Sequence, residues 1–528
     1  MVKTVTDDML DPNTPEDVII RPEPRTPTTD PTLGIPVQLS PQGTPKHRLV
    51  TLGDSLTHGF QSGAIFKTRL AYPVVVAQAL GWNQFRFPTY DSPGDGLPLN
   101  FESLVQRLQG EYGDRLDWWE LIPTFGTVRY FLDEVEDYWE GPGGTNPPRP
   151  AAINHNLAVY GWDLRNTFAR TAEICRQTIA ATPDRDNFLR QVVTNANDRA
   201  ALRVLDSARA EGDRALTPVQ AAAALGAEGT VETGAGDGIE TLIVFIGANN
   251  ALGAILTFRV NWTGPGYDDM AVNDQYTVWR PIHFKAELDL LVSEVKKVRA
   301  RHVIWCTIPH VTIAPFAKGV GSEKVRPGSR YFPYYTYPWI RSQDFKPRRH
   351  AQITGAQTRT IDSAIDQYND MIAEAVRAAR QQGLDWYLCE VVALLDRLAY
   401  RRYIEDPTAR PDWWTPYPLP PELQALQPPP DSRFFVSDRT GRKQGGLFSL
   451  DGIHPTTIGY GLLAQEIINV MQLAGVSFDR SPQLDFNRLI KLDSLISQPP
   501  PLIANILNLF AQLDSNFNLI GTLLGSNL

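Results

Sequence analysis

Four short stretches of the chain hold residue types that can carry out acyl chemistry. Ser55 stands in Gly53-Asp54-Ser55-Leu56, directly after the apolar run Leu49-Val50-Thr51-Leu52. A serine at a strand-to-helix turn is presented at the carboxyl edge of a sheet, where α/β proteins place ligands. Its hydroxyl is a poor nucleophile near neutral pH and needs a base. Asp451 and His454, in Asp451-Gly452-Ile453-His454-Pro455-Thr456, can come from one turn. The carboxylate then fixes the tautomer and orientation of the imidazole, and the other ring nitrogen takes the serine proton. Asn249 follows the run Thr241 to Ile246, and its side-chain amide can donate to a developing oxyanion. Gly161 ends the run Asn156 to Tyr160. Its N–H can reach the same oxyanion, and a glycine there lets substrate approach closely.

Each stretch also has a plainer reading. Ser55 or Asp54 can simply cap a helix, and Asp451 can cap the next one beside an incidental histidine. Gly247-Ala248-Asn249-Asn250 can be an ordinary turn. Their joint occurrence at successive strand ends, in one order, favours the chemical reading. Pro455 suits the first turn of the helix that follows. His58 is too near Ser55 in sequence to bring its ring onto the hydroxyl, and reads as structural or as pocket wall. His310 is expected near the rim of the site and His155 in a structural role. No paired histidine spacing suggests a metal, and the chemistry needs no cofactor.

These blocks resemble the SGNH, or GDSL, hydrolase family. Its four blocks centre on Ser in Gly-Asp-Ser-Leu, a Gly, an Asn in Gly-x-Asn-Asp, and Asp-x-x-His. They match Ser55, Gly161, Asn249 and the Asp451/His454 pair, in that order, within residues 47–474. The resemblance implies a flavodoxin-like three-layer α/β/α sandwich with a parallel sheet. It implies a triad of Ser55, Asp451 and His454, and an oxyanion hole from the N–H groups of Ser55 and Gly161 with the Asn249 side chain. Asn250 departs from the family, which has aspartate there. The activity implied is hydrolysis of carboxylic esters, as in esterases and lipases, with lipid-like or aryl esters favoured. Two alternatives stand beside it: a carbohydrate O-deacetylase or acyltransferase with the same triad, and a non-catalytic binding scaffold. An α/β-hydrolase would want Gly-x-Ser-x-Gly, and no such string occurs.

The elements that must position these residues follow from apolar patterning. Strands are expected at Leu49 to Leu52, Leu157 to Tyr160, Thr241 to Ile246, His302 to Ile308 and Trp386 to Val392. Helices are expected at Tyr72 to Leu80, Phe284 to Ala300, Ile361 to Gln382 and Ile458 to Leu473. Near-continuous apolar strands alternating with helices imply a parallel sheet covered on both faces. Residues 1–45, rich in proline, read as an extended tail or surface strap. Residues 46–475 form the hydrolase-like domain, interrupted by insertions at about 88–155, 165–238, 310–360 and 396–448. The third insertion carries the aromatic run Tyr331 to Trp339, either packing over the sheet or forming a lid.

Past Gly475, residues 476–528 form an amphipathic helical extension. Leu484, Phe486, Leu489, Ile490, Leu492, Leu495 and Ile496 suggest one helix, and the pattern from Leu502 to Leu513 another. The plain reading is docking on the chain's own domain; the sharper one is contact with a membrane surface or partner. The polar face lacks the basic residues an anionic lipid would want.

The 528 residues are 42% hydrophobic and carry a formal charge of −9, which argues against a general nucleic-acid binder. Three separated cysteines make no metal or disulfide pattern, and Cys306 and Cys389 read as plain buried thiols. No apolar run approaches the ~20 residues of a membrane span. With no signal-like N-terminus, the expected location is cytoplasmic, with export by another route as the alternative.

Overall fold

Four strands carry apolar runs: β1 (His47–Gly53), β2 (Ile239–Phe245), β3 (Ala300–Cys306) and β4 (Trp386–Cys389). The computed structural model describes residues 4–40, 43–90, 96–114, 121–182, 193–207, 215–231 and 234–507. The strands pair in parallel in the order β1-β2-β3-β4. Parallel neighbours cannot be joined by a tight turn, so each connection is a long crossover containing helix.

Alternate side chains of these strands face opposite layers. Val50, Leu52, Leu242, Val244, Val303 and Trp305 enter one core with Leu288 and Leu291 of helix α1 (Pro281–Val295) and Ile361 and Ile365 of helix α2 (Gly355–Gln381). Leu49, Ile243, Phe245, Ile304 and Cys306 enter the other core with Ile467 and Ile468 of helix α3 (Thr457–Leu473) and with the helix Tyr72–Ala79. Burying each such side chain contributes roughly 1.5–3 kcal/mol. A parallel sheet with helices on both faces is compatible with a three-layer α/β/α sandwich.

The expected strand Leu157 to Tyr160 is reduced to one bridge, Thr51 with Asn156. The segment still runs along β1: Thr51 N–H donates to the His155 carbonyl, and Leu157 N–H to the Thr51 carbonyl, each at 2.9 Å. Asn156 Oδ1 accepts from the Ala158 N–H at 3.2 Å, on the side of the segment away from β1. Helix α1 begins earlier than expected, with a proline in its first turn, and Ala300 already belongs to β3. β4 stops at Cys389 and Val391 opens a helix, Val391–Leu398. Helix α2 starts at Gly355 because Thr354 and Gln357 form a capping box.

The proline-rich segment lies as a strap across α2 and β4. Ile19 N–H donates to Gln367 at 2.8 Å, Arg25 pairs with Asp370 at 2.8 Å, and Leu388 N–H donates to the Pro31 carbonyl at 2.9 Å. In the third insertion Tyr331, Phe332, Tyr335, Tyr337 and Trp339 are buried.

The single helix expected after Gly475 is two, Phe486–Leu492 and Ser494–Ser497. Asp493 interrupts them: its carboxylate accepts from Leu495 N–H at 3.1 Å and from Ile458 N–H, in the first turn of α3, at 2.9 Å. Phe486, Leu489, Leu495, Leu502, Ile503 and Ile506 are buried against the body of the chain. Phe510 and Leu513, part of the second expected helix, lie outside the described residues. Among the described residues, no helix is long and apolar enough to cross a membrane.

Candidate active site

β1 delivers Ser55 to the carboxyl edge of the sheet. Gly53, its last residue, packs so closely on β2 that a Cβ there would lie 2.7 Å from the Phe245 carbonyl oxygen. The chain then turns into one short helix, Ser55–His58, capped by Asp54, whose carboxylate accepts from Leu56 N–H at 3.1 Å. Burial pushes the Asp54 carboxyl up to about 7, against the pull of that N–H.

The loop before α3 brings the other two residues to the serine. Ser55 Oγ lies 2.9 Å from His454 Nε2, and His454 Nδ1 lies 3.0 Å from Asp451 Oδ2. Asp451 Oδ1 accepts from the Ile453 and His454 N–H groups, each at 2.8 Å, and Oδ2 also accepts from Gly63 N–H at 2.9 Å. Burial alone would raise the Asp451 pKa. His454 and these N–H donors outweigh it and hold the carboxyl below its ordinary range. The His454 ring packs on Phe60, with centroids 4.4 Å apart. Pro455 does not sit in the first turn of α3: Thr456 is the cap, accepting from Gly459 N–H at 3.3 Å, and the helix starts at Thr457.

Asn249 reaches the Gly161 segment through Trp162, and that segment is held at this edge. Gly161 has a φ of +75°, a conformation that favours glycine. Asn249 opens the helix Asn249–Thr257 and donates through Nδ2 to the Trp162 carbonyl at 2.7 Å. That bond uses one of the two amide N–H groups. Asn250 Oδ1 accepts from Leu164 N–H at 3.3 Å, so both asparagines staple the turn after Gly161. Val159 N–H donates to the Gly53 carbonyl at 3.3 Å, holding the Gly161 segment beside the end of β1.

His58 is not a rival base. Its ring is fully buried, and burial holds it down at about 3, so it is neutral. Nδ1 accepts from Tyr160 N–H at 3.2 Å, which leaves the proton on Nε2 to meet Tyr90 OH at 3.0 Å. His58 therefore fixes the residue before Gly161. His155 lies 3.0 Å from His47 and accepts from Arg86 N–H at 2.8 Å, a structural role. His310 is clamped between Asp396 at 2.9 Å and Asp366 at 3.3 Å. Burial opposes its charge, but Asp396 and Asp362 prevail and lift it to about 10.

An apolar cavity opens beside the serine and histidine. Its empty volume is about 880 Å³, counting the mouth. Besides Ser55 and His454, its walls include Leu252, Leu394, Leu398, Leu447, Phe448 and Leu462. They come from five separate segments of the chain, and no single stretch of sequence signals the cavity. The Gly63 N–H on Asp451 and the buried Asp54 carboxyl were equally unmarked in the sequence. Among the described residues no group of three or more His, Cys, Asp or Glu is arranged to hold a metal ion.

No protein-family model matches the chain, and no curated protein matches it.

Proposed function

We propose that the chain is a serine ester hydrolase of the SGNH, or GDSL, type, acting on carboxylic esters with an apolar acyl group. The observation that carries this reading is the hydrogen-bonded chain Ser55 Oγ, His454 and Asp451, with links of 2.9 and 3.0 Å. A flavodoxin-like fold is part of the proposal. Counting the segment beside β1 as the second strand in sequence, the spatial order becomes 2-1-3-4-5, the order of that fold.

In this mechanism Ser55 Oγ attacks the ester carbonyl carbon while its proton passes to His454 Nε2. Asp451 holds the imidazolium that forms. The oxyanion is met by the N–H groups of Ser55 and Gly161 and by the remaining Asn249 amide N–H. The carbon–oxygen bond to the alcohol then breaks, and His454 returns the proton to the departing alkoxide. Water, losing a proton to His454, attacks the acyl-Ser55 carbonyl; the bond from Ser55 Oγ to the acyl carbon then breaks, His454 returns the proton to Ser55, and the acid is released.

The cavity beside Ser55 favours an aliphatic or aryl acyl group over acetyl, because a two-carbon group leaves most of its apolar wall uncovered. This separates the proposal from a carbohydrate O-deacetylase. A panel of aryl esters from acetyl to dodecanoyl, beside acetylated sugars and with a Ser55→Ala control, tests it. The expected result is hydrolysis of medium-chain esters that falls at least ~10³-fold in Ser55→Ala. Undiminished activity in Ser55→Ala would refute the nucleophile. No turnover of any ester, with no labelling by an organophosphonate, would favour a binding scaffold.

A further inference from the structure

Positive and negative charges are out of balance around a second cavity, whose empty volume is about 1180 Å³, counting the mouth. Its walls carry Lys318, Arg330, Arg401, Arg402 and Arg433 against one carboxylate among the described residues, Glu405. This concentration occurs in a chain whose formal net charge is −9. Part of the excess is met from behind the walls. Asp362 takes Arg402 and Asp431 takes Arg433, each at 2.8 Å. Arg401 donates to the Gly319 and Gly321 carbonyls at 2.6 and 2.9 Å, with Glu405 at 3.7 Å.

Two cations remain. Lys318 donates to the Ile340 carbonyl at 3.0 Å and has no carboxylate partner among the described residues. Arg330 is 5% exposed and gives its Nε to the Tyr331 hydroxyl at 2.9 Å. The rest of its guanidinium makes no direct hydrogen bond or ion pair to a described residue; it lies over the Tyr331 ring, 4.9 Å from the centroid, and Asp362 supports its charge from farther off. A guanidinium keeps its charge at any ordinary pH and has five N–H donors. Buried guanidinium N–H groups without acceptors are costly, so the cavity that Arg330 lines is where an anion gains most. Two positive charges with no carboxylate in direct contact among the described residues suit a dianion better than a carboxylate. Phe332, Tyr335, Pro338 and Phe434 supply an apolar wall in the same cavity.

We propose that this cavity binds a small organic phosphate, with the phosphoryl group on Arg330 and Lys318 and the organic part against Phe332 and Tyr335. A phosphate monoester carries about −1.5 to −2 charges at pH 7 and accepts through three oxygens, which matches a forked guanidinium beside an ammonium. The site is distinct from the proposed ester site. Val311 and Ala314 line the cavity beside Ser55, whereas Thr312 and Ile313 line this one, so a single turn separates the two. The proposal does not depend on Ser55 being a nucleophile.

Isothermal titration of the full chain with phenyl phosphate, inorganic phosphate, benzoate and phenol tests it. Saturable binding of phenyl phosphate is expected, weaker binding of inorganic phosphate, and none of phenol. Arg330→Gln and Lys318→Gln should each weaken phenyl phosphate about tenfold or more. Circular dichroism and thermal unfolding check that each variant is folded. Should Arg330→Gln fail to fold, Lys318→Gln, at a half-buried position, decides alone. Failure of phenyl phosphate to saturate the wild-type chain would overturn the proposal. So would unchanged affinity in the folded variants, or benzoate binding as tight as phenyl phosphate.

Discussion

Asp451 grips His454 at two points: Oδ2 lies 3.0 Å from the ring Nδ1, and Oδ1 accepts the His454 backbone N–H at 2.8 Å. The second bond fixes where the ring starts, and the first fixes which way it faces. Asp451→Asn keeps the shape, but an amide at the Oδ1 position would meet the Ile453 and His454 N–H groups; it turns instead to the Oδ2 position and faces Nδ1, so the useful tautomer is lost. Ester turnover should fall about 10³–10⁴-fold, with KM changed only a few-fold. Steady-state kinetics on one medium-chain ester decides this. A variant retaining a tenth of wild-type kcat would show that Asp451 does not orient the base.

Asp54 and Asp451 flank the same serine but respond to pH with opposite signs. Asp451 is held below its ordinary pKa, so its contribution is present above about 3.8 and is lost as pH falls below that value. Burial pushes Asp54 up to about 7, and its Oδ2 has no hydrogen-bond partner among the described residues. Its neutral form is favoured in the fold. The contribution of Asp54 is therefore full below about 3.8 and is lost as pH rises from there through about 7. The loss is on the order of a few kcal/mol. Asp54→Asn can still cap Leu56 N–H and carries no charge to bury. Urea unfolding at several values between pH 4.5 and 8.5 should show the wild-type chain losing stability relative to Asp54→Asn. Parallel profiles would mean that Asp54 stays ionised in the fold.

Asn249 has one observed and one proposed task, which kinetics and stability separate. One amide N–H holds the Trp162 carbonyl at 2.7 Å, and the other is proposed to meet the oxyanion. Asn249→Ala should lower kcat about 10²–10³-fold with little change in KM, because the second bond forms only in the transition state. Loss of the Trp162 bond should cost about 1 kcal/mol in urea unfolding. A fall in stability with kcat intact would reduce Asn249 to a loop staple.

Ser55, Asp451 and His454 were legible because their chemistry restricts residue type and spacing, and because they stand at ends of recognisable elements. The strands of the sheet were legible for a related reason: buried on both faces, they read as unbroken apolar runs. What escaped depends on contacts between segments far apart in sequence. Gly63 meets Asp451 across 388 positions. Asp493, taken as part of one amphipathic helix, instead stops that helix to hold the N–H of Ile458, which periodicity does not register. The segment Leu157 to Tyr160, whose pattern reads as a full strand, follows β1 with only the Thr51–Asn156 bridge and a longer bond from the Val159 N–H to the Gly53 carbonyl.

The same long-range logic assigns a role to the helices after Gly475. Phe486 is 2% exposed, and its ring would lie 3.2 Å from a Cβ placed at Gly461 of α3. The extension thus braces the helix that follows His454. Phe486→Ala should cost about 3–5 kcal/mol in urea unfolding. A loss below 1 kcal/mol would show that the extension docks too loosely to support the site.

Leu398 offers a test of which ester the serine meets. It lines the cavity beside Ser55 from the helix Val391–Leu398, together with the α3 residues Leu462 and Leu463. Each methylene of an acyl chain moved from water to such a wall gains about 0.8 kcal/mol, roughly fourfold in kcat/KM. The wild-type profile should therefore climb with chain length until the cavity is filled. Leu398→Trp adds bulk to the wall without touching Ser55, His454 or Asp451. It should leave acetyl ester hydrolysis within about twofold and cut octanoyl ester hydrolysis about tenfold or more. Equal losses on both esters would point to damage at the triad itself. A wild-type profile that peaks at acetyl would show that the acyl group does not enter this cavity, and would turn the assignment toward a deacetylase.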